Sequence, residues 1–201
     1  MDGSFPIPVS MMILIATALI SLMAFNAPRI IGRYALSPYE VIQRGRWDQL
    51  ITSGFLHADL GHLFMNMITL YFFGPLMDRV LGPAGFTLLY FGSMLCGSLL
   101  TLAFHHRDPR YRALGASGAI SGVLFGFVLL RPMAPIFVFL IPIGIPAALF
   151  AILYVLVSVF GMRRRWGNIG HEAHLGGAIG GLVLTALLYP GAINIFLSHF
   201  R

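Results

Sequence analysis

The chain of 201 residues is 58% hydrophobic and only 10% charged, with a mean hydropathy of +0.85. A soluble domain carries about 25% charged residues, and a chain this small has too little interior to hide so much apolar surface. Composition therefore excludes a soluble fold and predicts a single-domain, multi-pass membrane protein. The formal net charge is +6 and all 13 basic residues are arginine. They sit singly or in threes between apolar runs, which argues against nucleic acid as a partner and for contact with anionic lipid headgroups. Cys96 is the single cysteine, so no intrachain disulfide or thiolate metal cluster can form.

The first apolar run is Val9 to Phe25, closed by Asn26 and Pro28, since proline ends or kinks a helix. It follows a short proline-bearing lead, Met1 to Ser10, that has no basic leader and no small-residue cleavage site, and it reads as a retained span. With no histidine and no charge, it is assigned to scaffold. Residues 29–55 mix Arg44, Arg46, Trp47 and Asp48 with Leu50, Ile51 and Phe55, a blend suited to a loop partly embedded in the headgroup layer; an ordinary exposed loop is the alternative. The second span is predicted over 60–76. In it His62 and Asn66 are four apart and share a helix face, with His57 just ahead at the boundary. Polar groups inside a span are costly unless they face the bundle interior and find partners there.

The third span is predicted over 84–104, with Gly92, Ser93 and Cys96 as a small-residue side for close packing. A polar connector from His105 to Arg112 follows. Its paired histidines, His105 and His106, have no further ligand at suitable spacing, and no metal is expected. The fourth span, 117–130, has 14 residues, a rise of about 21 Å against a hydrocarbon core of about 30 Å. A helix this short must begin below one surface, and residues 113–116 must enter the membrane as coil. Non-helical backbone at depth is tolerated only where it is buried in protein or lines a wet cavity. Gly118, Gly122 and Gly126 give this helix a smooth face.

Prolines 132, 135, 142 and 146 break the next stretch into an interfacial connector. The fifth span is predicted over 147–160 and reads as free of ionisable groups. A basic loop with Arg163, Arg164, Arg165 and Trp166 precedes the last span, 173–188, which is opened by His171, Glu172 and His174. Gly176, Gly177, Gly180 and Gly181 make a close-packing surface, with His174, Gly177 and Gly181 near one face. The first, third and fifth connectors together carry ten arginines, against Arg79 and Arg131 on the other side; charge counting puts both termini outside.

Ser117 is the candidate nucleophile and His174 the candidate general base. A hydroxyl is a weak nucleophile until a base takes its proton, and a neutral imidazole can do so near neutral pH. Glu172 is too close in sequence to share the face of His174, so a dyad is expected rather than a triad. The developing oxyanion needs donors: Asn66 Nδ2, His62 and the backbone N–H of Ser117, the last at a helix N-terminus. The plain alternative is a packing serine bonded to its i−4 carbonyl, and Ser121, one turn on, competes for the nucleophile's role.

These residues resemble the motifs of the rhomboid family of intramembrane serine proteases. Gly115-Ala116-Ser117-Gly118 is similar to its GxSG motif. His62-Leu63-Phe64-Met65-Asn66 is similar to HxxxN, with His57 and His62 like its paired histidines. Ala173-His174-Leu175-Gly176-Gly177 is similar to AHxxG, and Arg46-Trp47 resembles an element of the family's first loop. The likeness runs from about Arg46 to Gly181. It implies an all-α membrane protein, a bundle of six transmembrane helices whose short fourth helix starts below the membrane surface. It also implies a Ser117–His174 dyad, oxyanion stabilisation by His62, Asn66 and the Ser117 amide, and no cofactor. The implied substrates are single-span membrane proteins, cut where their helix unwinds around small residues. The fifth helix and the loop after it resemble the family's lateral gate and cap. The family commonly keeps both termini cytoplasmic, opposite to the charge count. The chain carries no soluble N-terminal domain and no seventh span, and its compact form points to a bacterial inner membrane. A small transporter using His62, Asn66 and His174 as a path, or a non-catalytic chaperone of membrane proteins, are the other readings; oligomeric state is open.

Overall fold

The computed structural model describes residues 7–138, 143–164 and 170–201. Residues 1–6 of the lead, Pro142 of the connector, and Arg165 and Trp166 of the basic loop lie outside the described residues. The first helix, α1, spans Val9–Phe25. The stretch expected to be loop is largely helical: α2 (Pro28–Tyr34), α3 (Pro38–Arg44), α4 (Gln49–Thr52) and a 3-10 turn, Ser53–Phe55. Its signals are local. Pro28 and Pro38 open their helices, where the missing N–H costs nothing. The Ser37 hydroxyl accepts from Glu40 N at 3.3 Å to cap α3, and Gly45 ends that helix in the left-handed region at φ 68°. Leu36, Val41 and Leu50 form a small core beneath these helices.

The second and third predicted spans form one continuous element, α5 (Leu60–His105), broken at Gly82 by φ 72° and ψ 167°. Only glycine takes that backbone readily, and Pro83 then starts the second arm. The arms fold back on one another. Both ends lie near Ser117, since His62 of the first arm sits over Gly115 and Gly97 of the second sits against Gly118; near the turn, Met77 and Leu89 meet at Gly126. Each arm rises about 33 Å. The first runs on past residue 76, so Asp78 and Arg79 stand within it, and the Asp78 carboxylate accepts from Ser10 N at 2.9 Å at the start of α1.

Helix α6 (Ser117–Leu130) is the hub: all its residues except Ser117 and Phe127 are buried. A helix that is apolar all round belongs in a core. The connector after it carries a two-stranded antiparallel ribbon, β1 (Pro135–Phe137) and β2 (Gly144–Pro146), a small departure from an all-α chain. Helix α7 (Ala147–Arg164) extends one turn beyond the predicted span, and α8 (His171–Leu188) starts two residues earlier than predicted. A short α9 (Ala192–Ser198) follows at 107° to α8.

Two of the described helices, Leu60–His105 and Ala147–Arg164, are long and apolar enough to cross a membrane, and a third is gained if α8 and α9 count as one bent span. Helices Val9–Phe25 and Ser117–Leu130 are apolar but shorter. Apart from the short β ribbon the described structure is helical, and the protein is a multi-pass integral membrane protein.

Candidate active site

The coil that leads to Ser117 is half-buried over residues 113–115 and fully buried at Ala116, so its backbone N–H groups need partners. Residues 35–57 supply them. Ala113 and Leu36 exchange a pair of backbone bonds, Leu36 N to Ala113 O at 2.8 Å and Ala113 N to Leu36 O at 2.9 Å. Gly115 N donates to Ser53 O at 3.0 Å, and Ala116 N donates to His57 Nε2 at 3.3 Å. Gly115 has φ +127°, and a Cβ there would lie 2.6 Å from His62 Cε1 and 2.8 Å from Nε2. Glycine is therefore needed twice at this position: for the backbone, and to admit the His62 ring beside the turn that opens α6.

His57 is completely buried, and its hydrogen bonds define its tautomer. The Ser21 hydroxyl donates to Phe55 O at 2.8 Å, so the 2.8 Å contact between Ser21 Oγ and His57 Nδ1 has the imidazole as donor. Nε2 is then free to accept from Ala116. Burial, helped by the neighbouring His62 and opposed by Asp59, holds the His57 pKa down at about 3, so the ring is neutral at physiological pH. The His57 and His62 rings meet edge to face, centroids 5.0 Å apart. Asp59 caps the first arm of α5 by accepting from His62 N at 2.8 Å. Helix α1, read from sequence as scaffold alone, thus contributes Ser21 to the support of this loop.

Ser117 begins α6, and His174 lies in the first turn of α8. Glycines bring these two turns together. A Cβ on Gly177 would collide with the carbonyl of Gly118, and one on Gly118 would lie 3.3 Å from Ala173 O. One turn further on, a Cβ on Gly181 would collide with the backbone of Gly122. Gly176 and Gly180 turn the opposite way, onto Cys96 and Gly97 of the second arm. Ser117 and His174 are both part-exposed; among the described residues no hydrogen bond joins them. Asn66 is buried, and its Nδ2 donates to His62 O at 2.9 Å, which leaves one of its two N–H groups uncommitted. His57, His62, Gly115, Ser117, Gly118, His174 and Gly177 thus surround one end of α6, and Asn66 is tied to the same cluster through His62.

Glu172 does not orient His174. Its Oε1 lies 3.2 Å from His105 Nε2, and the His105 ring stacks on Tyr111 with centroids 3.7 Å apart. A residue the sequence reading overlooked is Tyr154 of α7, the helix read as free of ionisable groups. Its ring lies 5.8 Å from that of His174, with 28° between planes, and its hydroxyl meets Ser121 Oγ at 2.5 Å. The available signal was a lone phenol in the middle of an apolar run.

A rhomboid domain matches residues 44–191. The chain is 34% identical over 183 residues to RHOMBOID-like protein 12, mitochondrial, of Arabidopsis thaliana, covering 83% of this chain and 54% of that protein. It is 37% identical over 138 residues to Rhomboid protein 1, mitochondrial, of Saccharomyces cerevisiae, covering 67% and 40%. It is 34% identical over 162 residues to the Putative rhomboid protease YdcA of Bacillus subtilis, covering 79% and 76%. The chain thus spans about half or less of the two mitochondrial relatives and about three quarters of the bacterial one. The matched segment holds every candidate residue from His57 to Gly177 within one cluster, and the chain belongs to the rhomboid family.

Proposed function

We propose that the chain is an intramembrane serine endopeptidase acting through a Ser117–His174 dyad on single-span membrane proteins. The observation that carries this reading is the glycine contact between Gly177 and Gly118, which sets the first turns of α6 and α8 side by side. Apo hydrogen bonds at catalytic sites are often long and tighten only with substrate, so the absence of a formed bond is compatible with this role. His174 takes the Ser117 proton as Oγ attacks the scissile carbonyl. The oxyanion that forms meets the Ser117 N–H, the His62 ring and the uncommitted N–H of Asn66. His174 then protonates the leaving amine. Water, activated by the same imidazole, releases the acyl group.

In this reading α1, the two arms of α5, α6, α7 and α8 are the six crossings, residues 29–55 lie partly in the headgroup layer, and lipid headgroups contact the arginine-bearing loops. The substrate enters past α7 and unwinds at small residues, because an intact helix hides its own carbonyls. The membrane is a bacterial cell membrane: of the three relatives above, the bacterial one is matched over most of its own length.

The test is cleavage of a single-span reporter in reconstituted lipid, beside labelling with a fluorophosphonate probe. Cleavage and label are expected in the wild type, lost together in Ser117→Ala and in His174→Ala, with label kept in Ser121→Ala. A folded wild type that neither labels nor cleaves overturns the reading in favour of a transporter or a chaperone.

A further inference from the structure

Helix α7 is loosely held. Of its 18 residues only Ala147, Ser158 and Gly161 are buried, and its outer face is a row of exposed aliphatic side chains such as Leu149, Leu153 and Leu156. Tyr154 is its polar link to the site. Ser121 Oγ donates to Ser117 O at 2.7 Å. A serine has one hydroxyl hydrogen, so the phenol must be the donor in the Tyr154–Ser121 bond. One side chain therefore reaches both catalytic candidates: the ring lies along the His174 imidazole, and the hydroxyl is fastened, through Ser121, to the carbonyl of Ser117. Phe125 of α6 and Phe150 of α7 hold the phenol from two sides, at 5.4 Å and 5.9 Å between centroids.

We propose that Tyr154 is a positioning residue that couples the seating of α7 to the alignment of the dyad. The ring fixes the plane of the imidazole, so that proton transfer is competent only while α7 is seated. The hydroxyl is a clasp that must open when a substrate helix displaces α7 and that closes again around the bound chain. The two parts act on different steps, the ring on the chemical step and the hydroxyl on entry. The proposal rests on the dyad reading above.

The experiment compares Tyr154→Leu, Tyr154→Phe, Ser121→Ala and the double variant Tyr154→Phe/Ser121→Ala, all in lipid, for fluorophosphonate labelling rate and for kcat and KM on the reporter. Tyr154→Leu is expected to lower kcat and labelling by about 10²-fold, the scale of a misplaced catalytic group. Tyr154→Phe is expected to restore most of kcat and to lower KM several-fold, because a dry hydrogen bond no longer opposes entry. The double variant is expected to match Tyr154→Phe, since both changes remove the same bond. A Leu variant that labels at the wild-type rate overturns the proposal, and so does a Phe variant that falls as far as Leu. If Tyr154→Leu fails to fold, the KM shift in Tyr154→Phe and its non-additivity with Ser121→Ala still decide it: additive effects overturn the clasp. A folded wild type with no label at Ser117 ends the dyad reading and takes this one with it, whereas a labelled wild type beside an equally labelled Leu variant overturns this one alone.

Discussion

His57 shows how one neutral side chain can hold a buried turn. It gives its proton to Ser21 and takes one from Ala116, a pattern that imidazolium cannot make. In the unfolded chain this histidine titrates near its ordinary value of 6.5, and in the folded chain at about 3. Between those values the unfolded state binds the proton and the folded state does not, so stability is full above about 6.5 and falls as the pH drops toward 3. The melting temperature in detergent is expected to be lower at pH 5 than at pH 7.5, and His57→Gln is expected to flatten that slope. An equal slope in the variant would assign it to other groups. Asn66 carries a second expectation. Its remaining N–H is the donor proposed for the oxyanion, so Asn66→Ala should lower kcat by about 10²-fold with little change in KM. A kcat within twofold of wild type would confine Asn66 to its bond with His62 O.

At the scale of elements, glycine sets the distances that matter. Helices α6 and α8 touch backbone to backbone at Gly118–Gly177 and Gly122–Gly181. Close approach of this kind is a means of helix association in lipid, where there is no apolar driving force between helices. Gly181→Ala places a methyl group on the backbone of Gly122, and the helices must part. The expected loss is about 1–3 kcal/mol, read as a lower melting temperature in detergent, with a larger loss for Gly181→Val. The glycines of 118–126 and 176–181 were legible in sequence as packing surfaces, and α6 has the limits that its apolar run suggests. The helices of residues 28–52 were missed although Pro28, Ser37-Pro38 and Gly45 mark their ends, because at four to seven residues each is too short to show a helical period; contacts distant in sequence, such as the 2.7 Å Arg33–Asp48 and 3.1 Å Arg112–Glu40 pairs, help to hold them. Gly82-Pro83 was visible as a helix breaker, yet which way the chain turns there depends on what each arm packs against. Ser21 and Tyr154 reach their partners over separations of 36 and 33 residues, and neither pairing has a local pattern to announce it.

Across the whole molecule, the end of α6 that begins on Ser117 gathers the loop residues 35–57, the polar connector 105–116 and the start of α8, while Arg79 and Arg131 mark other regions. Each motif sits near the start of its own helix, α5, α6 or α8, and those three starts were legible in sequence; that they lie together depends on Gly115 admitting the His62 ring and on Gly177 packing against Gly118. Which groups would keep the coil before Ser117 satisfied was not legible, since the partners come from the first 57 residues.

Helix α1 is gripped at both extremities, by the Asp78 carboxylate on Ser10 N and by His57 and Phe55 O on Ser21. It is a strut between the far part of the first arm of α5, at Asp78, and the loop beneath Ser117, at Phe55 and His57. Damage at the foot of that strut, far from any reacting atom, would shift its head and with it the turn before the nucleophile, so a lesion at Asp78 should mimic a weak lesion at His57.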